Sequence, residues 1–157
     1  MAGFKLVIFV ILISKMPFFG DAVKDKRVKA IVNRLIQFDD YFNAGKFDDI
    51  VEMWTDDGIL LPNDGNITIG KAAITKYYDG FSGKGLRIVS VTHTVFGRGS
   101  FLSAFGECDI FNPDGSLYIH IRDFDVEVYA LRFIMNFMRI GKEWMMRGNV
   151  DNTGPRE

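Results

Sequence analysis

Residues 86–111, LRIVSVTHTVFGRGSFLSAFGECDIF, decide the fold. Along them the apolar period is two. Val89, Val91, His93 and Val95 alternate with Ser90, Thr92 and Thr94. That pattern predicts a strand with one polar face. Phe101 to Phe111 reads as a second long strand. Beyond it, Asn112-Pro113-Asp114-Gly115 is a strong turn signal. Leu117 to Ile121 is placed to pair back, and Asp123-Phe124-Asp125 marks a bend. Leu131 to Ile140 is another strand, and Gly141-Lys142 a tight hairpin into Trp144 to Val150. The tail from Asn152 reads as frayed.

Upstream of Gly85 the period is three and four. Val28, Ile31, Val32, Leu35, Phe38 and Phe42 form one face of an amphipathic helix, with Gly45 as its stop. Phe47, Ile50, Val51 and Trp54 share the face of a shorter helix, which Asp57-Gly58 ends. Asp48 and Asp49 stand in its first turn, where the helix dipole favours negative charge. Ile59-Leu60-Leu61 is a short strand closed by Pro62, and Ile67 and Ile69 lie on its returning partner. A third helix carries Ile74, Tyr77, Tyr78 and Phe81. Helices first and strands afterwards predict an α+β domain. Its expected form is a cone: three N-terminal helices packed in a strongly curved antiparallel sheet.

A chain of 157 residues suffices for one domain and is too short for two ordinary ones. A net charge of −1 argues against a nucleic-acid partner held by basic excess. An apolar fraction of 48% excludes a disordered chain. One cysteine, Cys108, excludes an intrachain disulfide and a zinc cluster. Residues 1–22 follow another logic. Lys5 precedes an eight-residue apolar run, Leu6 to Ile13, too short to span a bilayer. Gly20 and Ala22 suit a cut after Ala22. The segment reads as a signal peptide, with 23–157 the mature domain and secretion its consequence. The alternative is an N-terminal strand or buried apolar arm. Secretion would make Asn66-Ile67-Thr68 usable for glycosylation at Asn66.

Certain residues resemble a known family. They are Asn43-Ala44-Gly45-Lys46-Phe47-Asp48-Asp49-Ile50, Met53-Trp54-Thr55-Asp56-Asp57-Gly58 and Ile69-Gly70-Lys71-Ala72-Ala73-Ile74. Phe133-Ile134-Met135-Asn136-Phe137 and Gly141-Lys142-Glu143-Trp144 complete the set. Together they resemble the nuclear transport factor 2-like superfamily, in its SnoaL-like and ketosteroid-isomerase-like branches. The resemblance implies the cone fold. It does not imply one function, because members include isomerases, dehydratases and association domains. Its isomerases need a base and two donors at the enolate oxygen. Gap-free counting places one donor position on Phe38, the base on Pro62 and the second donor on Ala130. None of these exchanges a proton. A short gap would bring Asp64 towards the base position, where an acid in Asn-Asp-Gly is otherwise a turn residue. Trp54 and Tyr78 match supporting aromatic positions of the pocket wall.

Four residues are candidates for ligand contact: Trp54, Tyr78, His93 and Asn136. His93 is in phase with Val89, Val91 and Val95; it either faces the cavity or stands on the rim. Glu107 fits either face, but Leu102, Ala104, Cys108 and Ile110 make the better inner set. Asn136 orients a ligand or points outward. Arg147 alternates with Met146 and belongs to an exposed face or a dimer surface. His120 and Asp123 lack the spacing by two that paired ligands on a strand prefer, so no metal and no cofactor is expected. The reading is a secreted, non-catalytic domain with an apolar pocket for a small hydrophobic molecule. One alternative is an isomerase or dehydratase using relocated residues such as His93 or Glu107. The other is an association domain. Phe and Met on both phases of Phe133 to Met138 leave apolar surface for a homodimer.

Overall fold

The computed structural model describes residues 25–62, 65–118 and 129–155. The signal-peptide reading of 1–22, Asp64, His120, Asp123 and the bend at 123–125 lie outside these residues, as does the side chain of Ala130. Helix α1 spans Lys26–Asn43, α2 Phe47–Glu52 and α3 Lys71–Asp79. The strands are β1 Trp54–Leu61, β2 Thr68–Ile69, β3 Arg87–Arg98, β4 Phe101–Phe111, β5 Tyr129–Ile140 and β6 Glu143–Pro155. They form one curved, open sheet in the order β2-β1-β6-β5-β4-β3. The fold class is the expected α+β cone, with helices on the concave face.

The side chain of Asp25 caps α1 by accepting from the Arg27 N–H at 2.8 Å. Its buried stripe is Ile31, Leu35, Phe38 and Phe42. After Ala44 the chain must reverse, and Gly45 takes φ +67°, a region that costs glycine least. Asn43 then ties the end of α1 to the sheet. Its Oδ1 accepts from the Ile88 N–H at 2.7 Å and its Nδ2 donates to the Ile88 carbonyl at 3.0 Å.

Three sequence expectations need correction. Helix α2 stops at Glu52, and Trp54 opens β1. Trp54 meets the same core from the last turn of a helix or the first residue of a strand. Strand pairing decides: Trp54 registers with Met146, and the Met146 N–H donates to the Met53 carbonyl at 2.8 Å. The sheet is not wholly antiparallel, because β1 runs parallel to β6. The crossover is possible because β1 and β6 are joined by most of the domain rather than by a hairpin. Finally, β6 does not fray at Asn152. It continues to Pro155, registered with Tyr129 of β5, so its backbone pairs to the end of the described chain.

Gly106 of β4 lies where the sheet is tightest. A Cβ there would stand 2.6 Å from Cζ of Phe133 and in overlap with the Val91 carbonyl oxygen. The buried Phe133 ring packs against this backbone. Among the described residues no helix is long and apolar enough to cross a membrane.

Candidate functional site

Between α1, α3 and the concave face of the sheet lies a cavity of about 90 Å³. The helices contribute Leu35, Phe38, Phe42, Tyr77 and Tyr78, and Phe81 adds its ring from the turn after α3. The sheet contributes Ile88, Ser90, Cys108, Ile110, Leu131, Phe133 and Met135, and two polar residues of β6, Asn149 and Asp151. A wider hollow of about 330 Å³ at the ends of α1 and α3 is lined by Phe42, Phe47, Phe81 and loop residues, none ionisable. Of the two, the smaller cavity is the one lined by ionisable groups.

Asn149 and Asp151 are two apart on one strand and so share a face. The Asn149 Nδ2 donates to Asp151 Oδ1 at 2.8 Å. Asn149 is 5% exposed, and its Oδ1 has no hydrogen-bond partner. A buried acceptor left open costs on the order of 1–3 kcal/mol. Burial pushes the Asp151 carboxyl up to about 6, against the opposing effect of the Asn149 hydrogen bond. Burial also raises the Tyr78 hydroxyl well above its usual range, with the neighbouring Trp54 acting in the opposite sense. The Cys108 thiol is raised by burial too, and stays protonated at neutral pH. Ser90 donates its Oγ proton to Asp39 Oδ1 at 2.8 Å, and its N–H to Asp39 Oδ2 at 3.0 Å. These bonds fasten α1 to β3. Burial raises the Asp39 carboxyl, and the Ser90 bonds oppose the rise.

The sequence candidates divide. Tyr78 lines the cavity, and so does Phe38, the apolar occupant of a donor position. Trp54 is fully buried behind the wall, beside Tyr78, and is not among the lining residues. Pro62 is buried after β1 and does not line the cavity. His93 stands on the convex face. Val89 and Val91, with which it is in phase, are themselves outward, Val91 opposite Glu107, while Ile88 and Ser90 face the cavity; a bulge between Thr92 and Thr94 leaves His93 without a β4 partner. Its Nε2 lies 3.6 Å from Glu107 Oε1, and its ring 5.8 Å from that of Phe105. Glu107 is outward, as its neighbours implied. Asn136 also faces outward, accepting from the Ser103 Oγ at 2.7 Å. Arg147 pairs with Asp57 on the surface. Asn66 is exposed in the loop before β2.

Sequence reasoning missed Asn149 and Asp151. On β6, Phe137 registers with Met146 and Asn136 with Gly148, so Arg147 is skipped. Counting by twos from buried Met146 puts Gly148 and Val150 inside. The bulge reverses the phase and turns Asn149 and Asp151 inward. The Gly148 beside a polar alternation is the one available sign.

No family model matches the sequence, and no curated protein does. Solved structures do match. One is a putative calcium/calmodulin dependent protein kinase II association domain from Xanthomonas campestris. It has 14% identity and a TM-score of 0.68, over 85% of this chain and 92% of that one. Another is an NTF2-like protein with a cystatin-like fold from Novosphingobium aromaticivorans. It has 16% identity and a TM-score of 0.66, over 88% and 90%. A third is a ketosteroid isomerase-like protein from Erwinia carotovora atroseptica. It has 12% identity and a TM-score of 0.66, over 84% and 99%. The chain has the NTF2-like cone fold.

Proposed function

We propose that this cone binds a small, mainly apolar molecule and seats its one polar group against Asn149 and Asp151. The observation that carries the reading is the open acceptor of Asn149, buried in the wall of an aromatic cavity. Apolar walls with a few convergent polar groups are the usual make-up of a ligand site. Phe38 and Pro62 hold the positions where the resemblance would put a donor and a base, which favours binding without isomerase turnover. The pair His93 and Glu107, considered for relocated chemistry, lies on the opposite face from the cavity. The test is 1-propanol titrated into the protein while the methyl resonances of Leu35, Leu131 and Met135 are followed by NMR. Saturable shifts are expected, and Cys108→Leu, which fills the space, should abolish them. Shifts that never saturate, or that persist undiminished in Cys108→Leu, would refute the reading.

A second reading concerns the convex face. Phe101 is 55% exposed and Ile134 and Val150 each 41%. Ile134 registers with Val150 and with Phe105, which makes the patch continuous across β4, β5 and β6. We propose that two copies associate through it, in keeping with the association-domain neighbour. Sedimentation at micromolar concentration should give twice the monomer mass. Ile134→Lys should return it to the monomer, and a wild-type monomer would end the idea. Secretion, with removal of residues 1–22 and glycosylation of Asn66, completes the proposal. N-terminal sequencing of secreted protein is its check.

A further inference from the structure

We infer that the polar group this cavity receives is a small primary ammonium ion, held by Asn149 and Asp151 against the aromatic wall. The inference rests on the binding reading above and specifies its ligand. The hydrogen bond from Asn149 Nδ2 to Asp151 fixes which way the amide faces, and the Asn149 oxygen is the atom left without a partner, an acceptor beside the second N–H that Nδ2 keeps. Asp151, when ionised, is an acceptor at both oxygens. Ser90 has given its only hydroxyl proton to Asp39, so it too can only accept. The acceptors that Asn149 and Asp151 leave open therefore ask for donors. A primary ammonium brings three of them on one atom.

Charge points the same way. None of the described lining residues is Lys, Arg or His. Among the described residues, the titratable groups that line the cavity with Asp151 are Tyr77 and Tyr78 from α3 and Cys108 from β4, with Asp39 of α1 behind Ser90. None of these carries positive charge. A carboxylate in this setting gains most from a ligand that supplies the missing cation, and charge-assisted hydrogen bonds are roughly twice as strong as neutral ones. Rings of Phe38 and Tyr78 line the same space, and aromatic faces attract ammonium groups.

Size sets the rest of the ligand. An apolar cavity of about 150 Å³ takes the six carbons of benzene. By proportion, a cavity of about 90 Å³ takes about four non-hydrogen atoms. Propylammonium has that size, and 1-propanol is its neutral counterpart.

Both are titrated into the full chain at pH 7.5 and pH 5, at matched ionic strength, with the cavity methyls followed by NMR. At pH 7.5 propylammonium is expected to bind about tenfold more tightly than 1-propanol. Protonation of Asp151 at pH 5 should weaken propylammonium about tenfold. Asp151→Asn should bring the two ligands within about twofold of each other and flatten the pH dependence. Equal or tighter binding of 1-propanol at pH 7.5 overturns the ammonium assignment and leaves the pocket reading standing. So does a preference for the cation that survives Asp151→Asn. If neither ligand shifts the cavity methyls, both readings fail. Shifts confined to the surface around Glu107 are unspecific attraction and also overturn the assignment.

Discussion

Asp151→Asn should make the protein more stable by about 2 kcal/mol at pH 7.5, and give no gain near pH 4. Burial raises the folded carboxyl to about 6, from an ordinary value of 3.8. Between those values the folded state keeps a proton that the unfolded chain releases. Stability from this group is full below about pH 4 and falls as the pH rises through 6. About two units correspond to about 3 kcal/mol, and solvent reaching the carboxyl from the cavity mouth reduces that to about 2. Asparagine keeps the shape and a partner for Asn149 without the charge. Urea unfolding at pH 4 and 7.5 measures the difference. A loss of stability at pH 7.5 would mean that the carboxylate is compensated in the fold. The gain, if found, is the mark of a residue kept at a cost to stability, as binding sites commonly are.

Gly106→Ala is expected to destabilise the fold by about 3 kcal/mol or more. The new methyl would overlap the Val91 carbonyl and stand 2.6 Å from the Phe133 ring. Neither can step aside easily. Val91 is held in the β3–β4 ladder, and Phe133 is buried against the core. Gly148→Ala is the control. Its Cβ would find Asn136 Nδ2 at 3.5 Å and the Ile59 carbonyl at 3.6 Å, ordinary contacts, so a change within about 1 kcal/mol is expected. Thermal unfolding of the two variants should separate them clearly. Equal melting temperatures would show that β4 and β5 can spread apart at Gly106.

The same two glycines show what was legible in the sequence. Helix α1 was plain, because Ile31, Leu35, Phe38 and Phe42 repeat at a spacing only a helix converts into one face. The long strands were plain too, and so was the outward Glu107, since Leu102, Ala104 and Cys108 pack the inner side. The site was hidden, for a single reason. Period-two reasoning assumes an unbroken ladder, and β6 breaks at Arg147. The skipped residue exchanges the two faces beyond it. Asp151 was thereby passed over though it lines the cavity, whereas His93 is outward because the apolar Val89 and Val91 that share its phase are on the outer face. Asn136 failed differently. A lone amide in an apolar run suits either face, and here Ser103 supplies its partner outside.

The place of β6 in the sheet has a consequence for synthesis on the ribosome. Of the six described strands it is the last to be made, yet it lies inside the sheet, between β1 and β5. Until it emerges, the β2-β1 ribbon has nothing to join, and β5 shows an open edge. Trp54 meets its β6 neighbour Met146 across more than half the chain, and such distant pairings form slowly. The cone therefore closes only after translation has passed Trp144. For that interval the nascent chain carries the open edges of β1 and β5, and an attending chaperone is the natural guard against their joining another chain.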